Sequence, residues 1–86
     1  MISRTRRSFW ALYSALDAET QAAARHVYAL FRESPNHPSL RLKKLGGYAD
    51  VWSVRINEQY RAVCRRSGDT VVWFWIGSHN AFDKMF

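Results

Sequence analysis

The chain has 86 residues, enough for one small domain with a single core and too few for a second. Hydrophobic residues make up 48%, which excludes a disordered tail, and a lone cysteine, Cys64, excludes an intrachain disulfide framework. Thirteen Lys and Arg against seven Asp and Glu leave a net charge of +6, a dense positive field that points to a polyanion, either nucleic acid or an acidic protein.

At the N-terminus, Arg4, Arg6 and Arg7 precede the apolar run Phe9–Leu16, an arrangement shared with secretory leaders. The run stops at Asp17 and a helical pattern follows, so residues 1–86 are read as one domain. No stretch approaches the ~20 apolar residues of a membrane span. A single thiol also suits the reducing cytoplasm.

Two helices are expected first. Ser8 is a candidate cap for one that sets Phe9, Leu12, Tyr13 and Leu16 on one stripe. Asp17 is a candidate N-cap for the second, with Glu19 in its first turn. That helix gathers Thr20, Ala23, Ala24, Val27, Leu30 and Phe31 on one face, and Gln21, Arg25, Tyr28 and Arg32 on another. Ser34-Pro35-Asn36-His37-Pro38 ends it, because each proline disfavours helix at the residue before it.

After Pro38 the period changes from 3.6 to 2. Leu40 and Leu42 alternate with Arg41 and Lys43, and Gly46-Gly47 breaks that strand. Trp52, Val54 and Ile56 alternate with Ser53, Arg55 and Asn57, and Tyr60, Ala62 and Cys64 alternate with Arg61, Val63 and Arg65. Val71–Ile76 is apolar on both faces and reads as a central strand, followed by a tail with room for a helical turn. The architecture expected is α+β: a helical hairpin packed on an antiparallel sheet of about four strands.

Strand parity carries the functional argument. For Trp52, Val54, Ile56, Tyr60, Ala62 and Cys64 to share the core face, the loop between their strands needs an odd number of residues. With Asn57-Glu58-Gln59 as that loop, Arg55 stands opposite Arg61. Facing like charges destabilise a sheet, and a phosphate bound between two guanidinium forks relieves them. Two solvated arginines on an open face are the alternative. In the last strand Trp73, Trp75, Gly77 and His79 share parity. A three-residue loop at Ser67-Gly68-Asp69 puts Trp73 and Trp75 on the arginine face, where rings stack bases; a two-residue loop turns them into the core. His26, His37, His79 and Cys64 show no metal-ligand spacing, and no cofactor motif is present. Cys64 shares the apolar parity and is expected as a buried thiol.

The segments Asn36–Leu45, Trp52-Ser53-Val54-Arg55-Ile56, Tyr60-Arg61-Ala62-Val63 and Trp73–His79 together resemble the RelE/ParE superfamily of bacterial toxin–antitoxin toxins, most closely its RelE- and HigB-like branch. The resemblance covers nearly the whole chain. It implies that Arg61 is the phosphate-binding arginine, that Arg55 occupies a basic position of nuclease members, and that His79 serves in acid–base or transition-state work. It also implies that Lys43 and Lys44 face ribosomal RNA, with Arg41 and Arg65 adding basic contacts and Trp75 or Trp73 stacking a base. Phe82 stands where many relatives carry a tyrosine, Ser53 replaces a lysine of some members, and the usual first strand is reduced to Met1–Arg7 or lost. The function implied is metal-independent cleavage of messenger RNA on the ribosome. The alternative is non-catalytic inhibition of DNA gyrase, a role some relatives perform. The partners implied are the ribosome with its messenger RNA, or gyrase, and an acidic antitoxin that wraps the basic sheet or the helical hairpin. No small-molecule substrate or membrane is implied.

Overall fold

A computed structural model describes Met1–Phe86. Asp17 caps the long helix α2 (Ala18–Glu33) as expected, its carboxylate accepting from the Thr20 N–H at 2.8 Å. Thr20, Ala24 and Phe31 are buried on the face the periodicity marks. Helix α1 (Arg7–Ser14) departs from expectation at its start. Arg6 is its N-cap and supplies no side-chain bond, while the Ser8 hydroxyl donates to the Phe74 carbonyl at 3.3 Å. Only Phe9 of α1 is buried, and Leu12 lies outside the core. The two helices are tied by Gln21, whose amide donates to the Tyr13 carbonyl at 3.0 Å, and by Arg25, which donates to the Tyr13 hydroxyl at 2.7 Å.

The expected strand around Leu40 is mostly a 3-10 turn, Pro38–Leu40. Arg41 follows with φ 47°, a left-handed backbone that no strand accepts. Extended pairing resumes only at β2 (Lys43–Lys44), which lies against β3 (Val51–Arg55). Strand β4 (Tyr60–Ser67) pairs with β3, and β5 (Thr70–Ser78) pairs with β4, all antiparallel. The fold is α+β, but the sheet has five strands in the order β1-β5-β4-β3-β2. The fifth strand, β1 (Ile2–Thr5), is the reduced first strand within Met1–Arg7, and it runs parallel to β5 at the sheet edge. Its four residues carry no apolar alternation of their own, so their pairing is visible only in three dimensions.

The helical hairpin covers one sheet face. Phe9, Ala24 and Phe31 meet Val54, Ala62, Cys64, Val71, Trp73 and Ile76 there. The opposite face carries a smaller core of Leu45, Val51, Val63 and Trp75, covered by Ala81 and Phe82 of the C-terminal helix α3 (His79–Met85) and by Phe86 just beyond it. No helix is long and apolar enough to cross a membrane.

Candidate nucleic-acid interface on the sheet

The β3–β4 turn is built as its sequence reads. The Asn57 carboxamide accepts from the Gln59 and Tyr60 N–H groups, each at 2.9 Å, and the Ile56 N–H reaches the Tyr60 carbonyl at 3.0 Å. This local bonding sets the register that pairs Arg55 directly with Arg61 on the face away from the helical hairpin. Arg55 has one acidic neighbour, Glu58, at 4.0 Å, whose side chain is 90% exposed. So solvated a pair neutralises little. Arg61 has no carboxylate within ion-pair distance; its Nη1 donates to the Asn57 and Tyr60 carbonyls at 2.7 and 3.0 Å. These bonds hold the guanidinium against the turn. Desolvation, then the charges of Arg55 and Arg41, push its pKa below the usual arginine value. The left-handed turn at Arg41 therefore adds a third guanidinium within electrostatic reach of Arg61.

Lys43 and Lys44 are both exposed on the edge strand, but they do not act on one face. Lys43 pairs with Ser53 and shares the arginine face; Lys44 pairs with Trp52 and falls on the other. Arg65 is exposed and shares the parity of Arg61, farther along β4.

The base-stacking expectation for Trp73 and Trp75 is corrected, and the alternative of a two-residue loop with both rings in the core holds except that the rings do not share a face. The β4–β5 loop has two residues, Gly68-Asp69, since Ser67 pairs with Thr70. Strict alternation would then turn both rings to the helical side. A bulge intervenes: Val63 pairs with Trp75 and Cys64 with Trp73, so Phe74 is an extra residue. The two rings consequently lie on opposite faces. Trp73 is 5% exposed and packs edge-on against Phe31 under the hairpin. Trp75 is 7% exposed and is covered by Phe82 and Phe86. Both rings are core, and neither is open for a base to stack on it. Beyond the bulge Gly77 stands opposite Arg61.

His79 opens α3. Its N–H donates to the Gln59 carbonyl at 2.6 Å, and Ser78 caps the helix by accepting from the Ala81 N–H at 3.1 Å. The junction of β5 with α3 thus sits against the β3–β4 turn, and His79 comes to the end of the sheet that carries Arg55 and Arg61. A polar cleft of about 320 Å³, lined by Glu58, Gln59, Tyr60, Ser78, His79 and Asn80, opens there. One turn along α3, Asp83 holds its Oδ1 3.5 Å from His79 Nε2, and its charge also reaches Arg61. The i, i+4 spacing of Asp83 from His79 becomes a signal only once the tail is known to be helical. Phe82, where a hydroxyl is expected in relatives, faces the aromatic cluster instead. Cys64 is fully buried, and burial pushes its thiol up to about 12, which removes it from nucleophilic chemistry. No three His, Cys, Asp or Glu side chains come together to hold a metal ion.

Residues 18–84 match the family model of the ParE-like toxin domain. The chain belongs to that family. It is a toxin of the RelE/ParE superfamily of toxin–antitoxin systems. Its fold is similar to a YoeB/ParE toxin from Agrobacterium tumefaciens, with a TM-score of 0.73 at 24% identity over 92% of this chain and 99% of that one. The RelB–RelE antitoxin–toxin complex from Methanococcus jannaschii contains a chain of the same fold, with a TM-score of 0.75 at 18% identity over 96% and 98%. The RelBE2 toxin–antitoxin complex from Mycobacterium tuberculosis contains another, at 0.73 and 22% over 91% and 96%. No curated protein matches the sequence.

Proposed function

We propose that this toxin inhibits translation in the cytoplasm by cleaving messenger RNA on the ribosome. The reading is carried by one observation: Arg55 and Arg61 face each other across adjacent strands, and neither is matched to a buried carboxylate. A phosphodiester between them supplies the missing negative charge. The 2′-hydroxyl of the preceding ribose forms the new O2′–P bond, and the P–O5′ bond breaks. The hydroxyl proton passes to the imidazole of His79, which stands at the arginine end of the sheet and lines the polar cleft. The departing O5′ takes a proton from solvent. Arg61 and Arg55 hold the charge that grows on the non-bridging oxygens during this displacement. Arg41, Lys43 and Arg65 extend the positive surface toward ribosomal RNA.

The partner in this reading is an acidic antitoxin. Between the hairpin and the sheet runs an apolar cleft of about 580 Å³, lined by Phe9, Trp10, Tyr13, Val27, Tyr28 and Trp73 and bordered by Arg4 and Arg25. Trp10 and Tyr28 are 49% and 37% exposed, a large apolar presence for a free surface. An amphipathic acidic segment fits both the apolar walls and the basic rim. The toxins in the Methanococcus jannaschii and Mycobacterium tuberculosis structures are held with antitoxins.

Phe82 favours a second reading, non-catalytic inhibition of DNA gyrase, because it removes the acid–base hydroxyl expected at that position. Brief induction separates the two. Primer extension is expected to show new transcript ends within coding regions while plasmid supercoiling is retained. Intact transcripts with loss of supercoiling would overturn the nuclease reading in favour of gyrase.

A further inference from the structure

The C-terminal helix carries a pair of charges that helix stability does not explain. His79 is the first residue of α3, and Asp83 lies in its last turn. The helix dipole disfavours a cation at the first position and an anion at the second. The order is also the poorer one, since an acid stabilises a helix better when it precedes its basic partner by four residues. Both side chains are nevertheless on one face, with His79 Nε2 and Asp83 Oδ1 3.5 Å apart. The helix itself is fixed by Phe82, whose ring packs at 6.2 Å from Trp75 and 5.3 Å from Phe86. Packing Phe82 onto the sheet turns the next residue, Asp83, toward the arginine site.

We propose that Asp83 is the positioning residue for His79, its carboxylate accepting the Nε2–H so that the neutral imidazole presents Nδ1 as the nitrogen that takes the proton from substrate. This rests on the nuclease reading. Substrate has room on the side of His79 away from Asp83: the cleft is lined by His79 and Asn80, and Asp83 takes no part in it. The charged groups around the ring are Asp83 on its own helix, Glu58 across the cleft, and Arg61 on β4, which feels the Asp83 carboxylate. On proton transfer the O2′–H bond breaks, Nδ1–H forms, and the imidazolium keeps its Nε2–H on Asp83. A carboxylate that accepts from one ring nitrogen favours the tautomer protonated there and leaves the other nitrogen as the base.

The test uses the full chain with Asp83→Ala, Asp83→Asn and, as a control, Lys84→Ala. Asp83→Ala is expected to slow single-turnover cleavage of ribosome-bound messenger RNA roughly tenfold, with ribosome affinity unchanged, since the pair is solvent-exposed and one of several aids to catalysis. Its melting temperature is expected to hold or rise. Asp83→Asn is the sharper variant. It keeps the shape and an oxygen that can accept the Nε2–H but removes the negative charge, so a purely structural role predicts the wild-type rate, whereas loss of the carboxylate that steadies the imidazolium predicts a rate between that of Asp83→Ala and the wild type. Ring-nitrogen NMR, assigned with His79→Gln, is expected to show Nε2–H alone for His79 in the wild type and a mixture in Asp83→Ala. A wild-type rate in either Asp83 variant, or equal losses of rate and affinity, would overturn the proposal. If the wild type cleaves no RNA, the nuclease reading fails and the proton-transfer role with it, whereas the NMR signal still decides whether Asp83 holds the ring.

Discussion

Arg61 sits in the least comfortable electrostatic position in the chain. Two backbone carbonyls hold its Nη1, two other guanidiniums act on it, and the only acid whose charge it feels is Asp83. At neutral pH it stays charged, because the guanidinium pKa starts far above 7. A bound phosphate is the natural relief. Arg61→Ala is therefore expected to slow messenger RNA cleavage about a hundredfold or more while the far-UV circular dichroism spectrum is preserved. Arg61→Lys should not restore the rate, since a point charge cannot form the fork. Full toxicity in the alanine variant would refute the phosphate clamp. Asp17 makes a separate, structural prediction. Its hydrogen bonds to Thr20 lower the carboxyl pKa in the folded state. The stability they confer is present above the ordinary carboxylate range and is lost as pH falls through the folded value. Asp17→Ala should lower the melting temperature at pH 7 and flatten its decline below pH 4 or so, as measured by thermal unfolding across pH.

Strand β5 shows how one element serves two cores. The extra residue at Phe74 turns Trp73 under the hairpin and Trp75 to the arginine face. Trp75 then lies along its own strand over Gly77. A Cβ at Gly77 would come within 2.7 Å of Trp75 Cη2 and Cζ2, closer than packed atoms tolerate. The indole packs against Phe82 and Phe86, so it cannot shift without disturbing those rings. Gly77→Ala should cost about 1–3 kcal/mol in denaturant unfolding and displace the Trp75 indole N–H resonance. An unchanged resonance would mean that the ring does not lean on this position. The bulge explains why alternation alone puts both tryptophans on one face: the pattern Val71–Ile76 is apolar on both faces, so inserting one residue leaves no local mark. The β3–β4 pair was legible for the opposite reason. Its faces alternate cleanly, and Asn57 closes the turn through its own side chain.

At the scale of the whole molecule the two sheet faces divide the work. One carries the hairpin core and the apolar cleft; the other carries Arg55, Arg61, Lys43 and Arg65 around the small α3-covered core. A partner seated in the cleft meets walls on the face opposite the arginine pair. The net charge of +6 acts on any polyanion before specific contacts form. Ribosome binding by the free chain should therefore weaken steeply between about 50 and about 200 mM salt, and Arg61→Ala should reduce the logarithmic slope by about 1. Salt-independent binding would show that the positive surface is not the docking surface.

Sequence by itself determined the helix that Asp17 caps, the shared face of Trp52, Val54, Ala62 and Cys64, and the meeting of Arg55 with Arg61. Each follows from a period or a turn that spans a few neighbouring residues, so no distant contact is needed to choose among alternatives. Tertiary structure alone decided the parallel edge strand β1, the separation of Trp73 from Trp75, and the approach of Asp83 to both His79 and Arg61. These depend on pairings between residues far apart in the chain, where side-chain volume and hydrogen-bond closure across the whole sheet outweigh any local pattern.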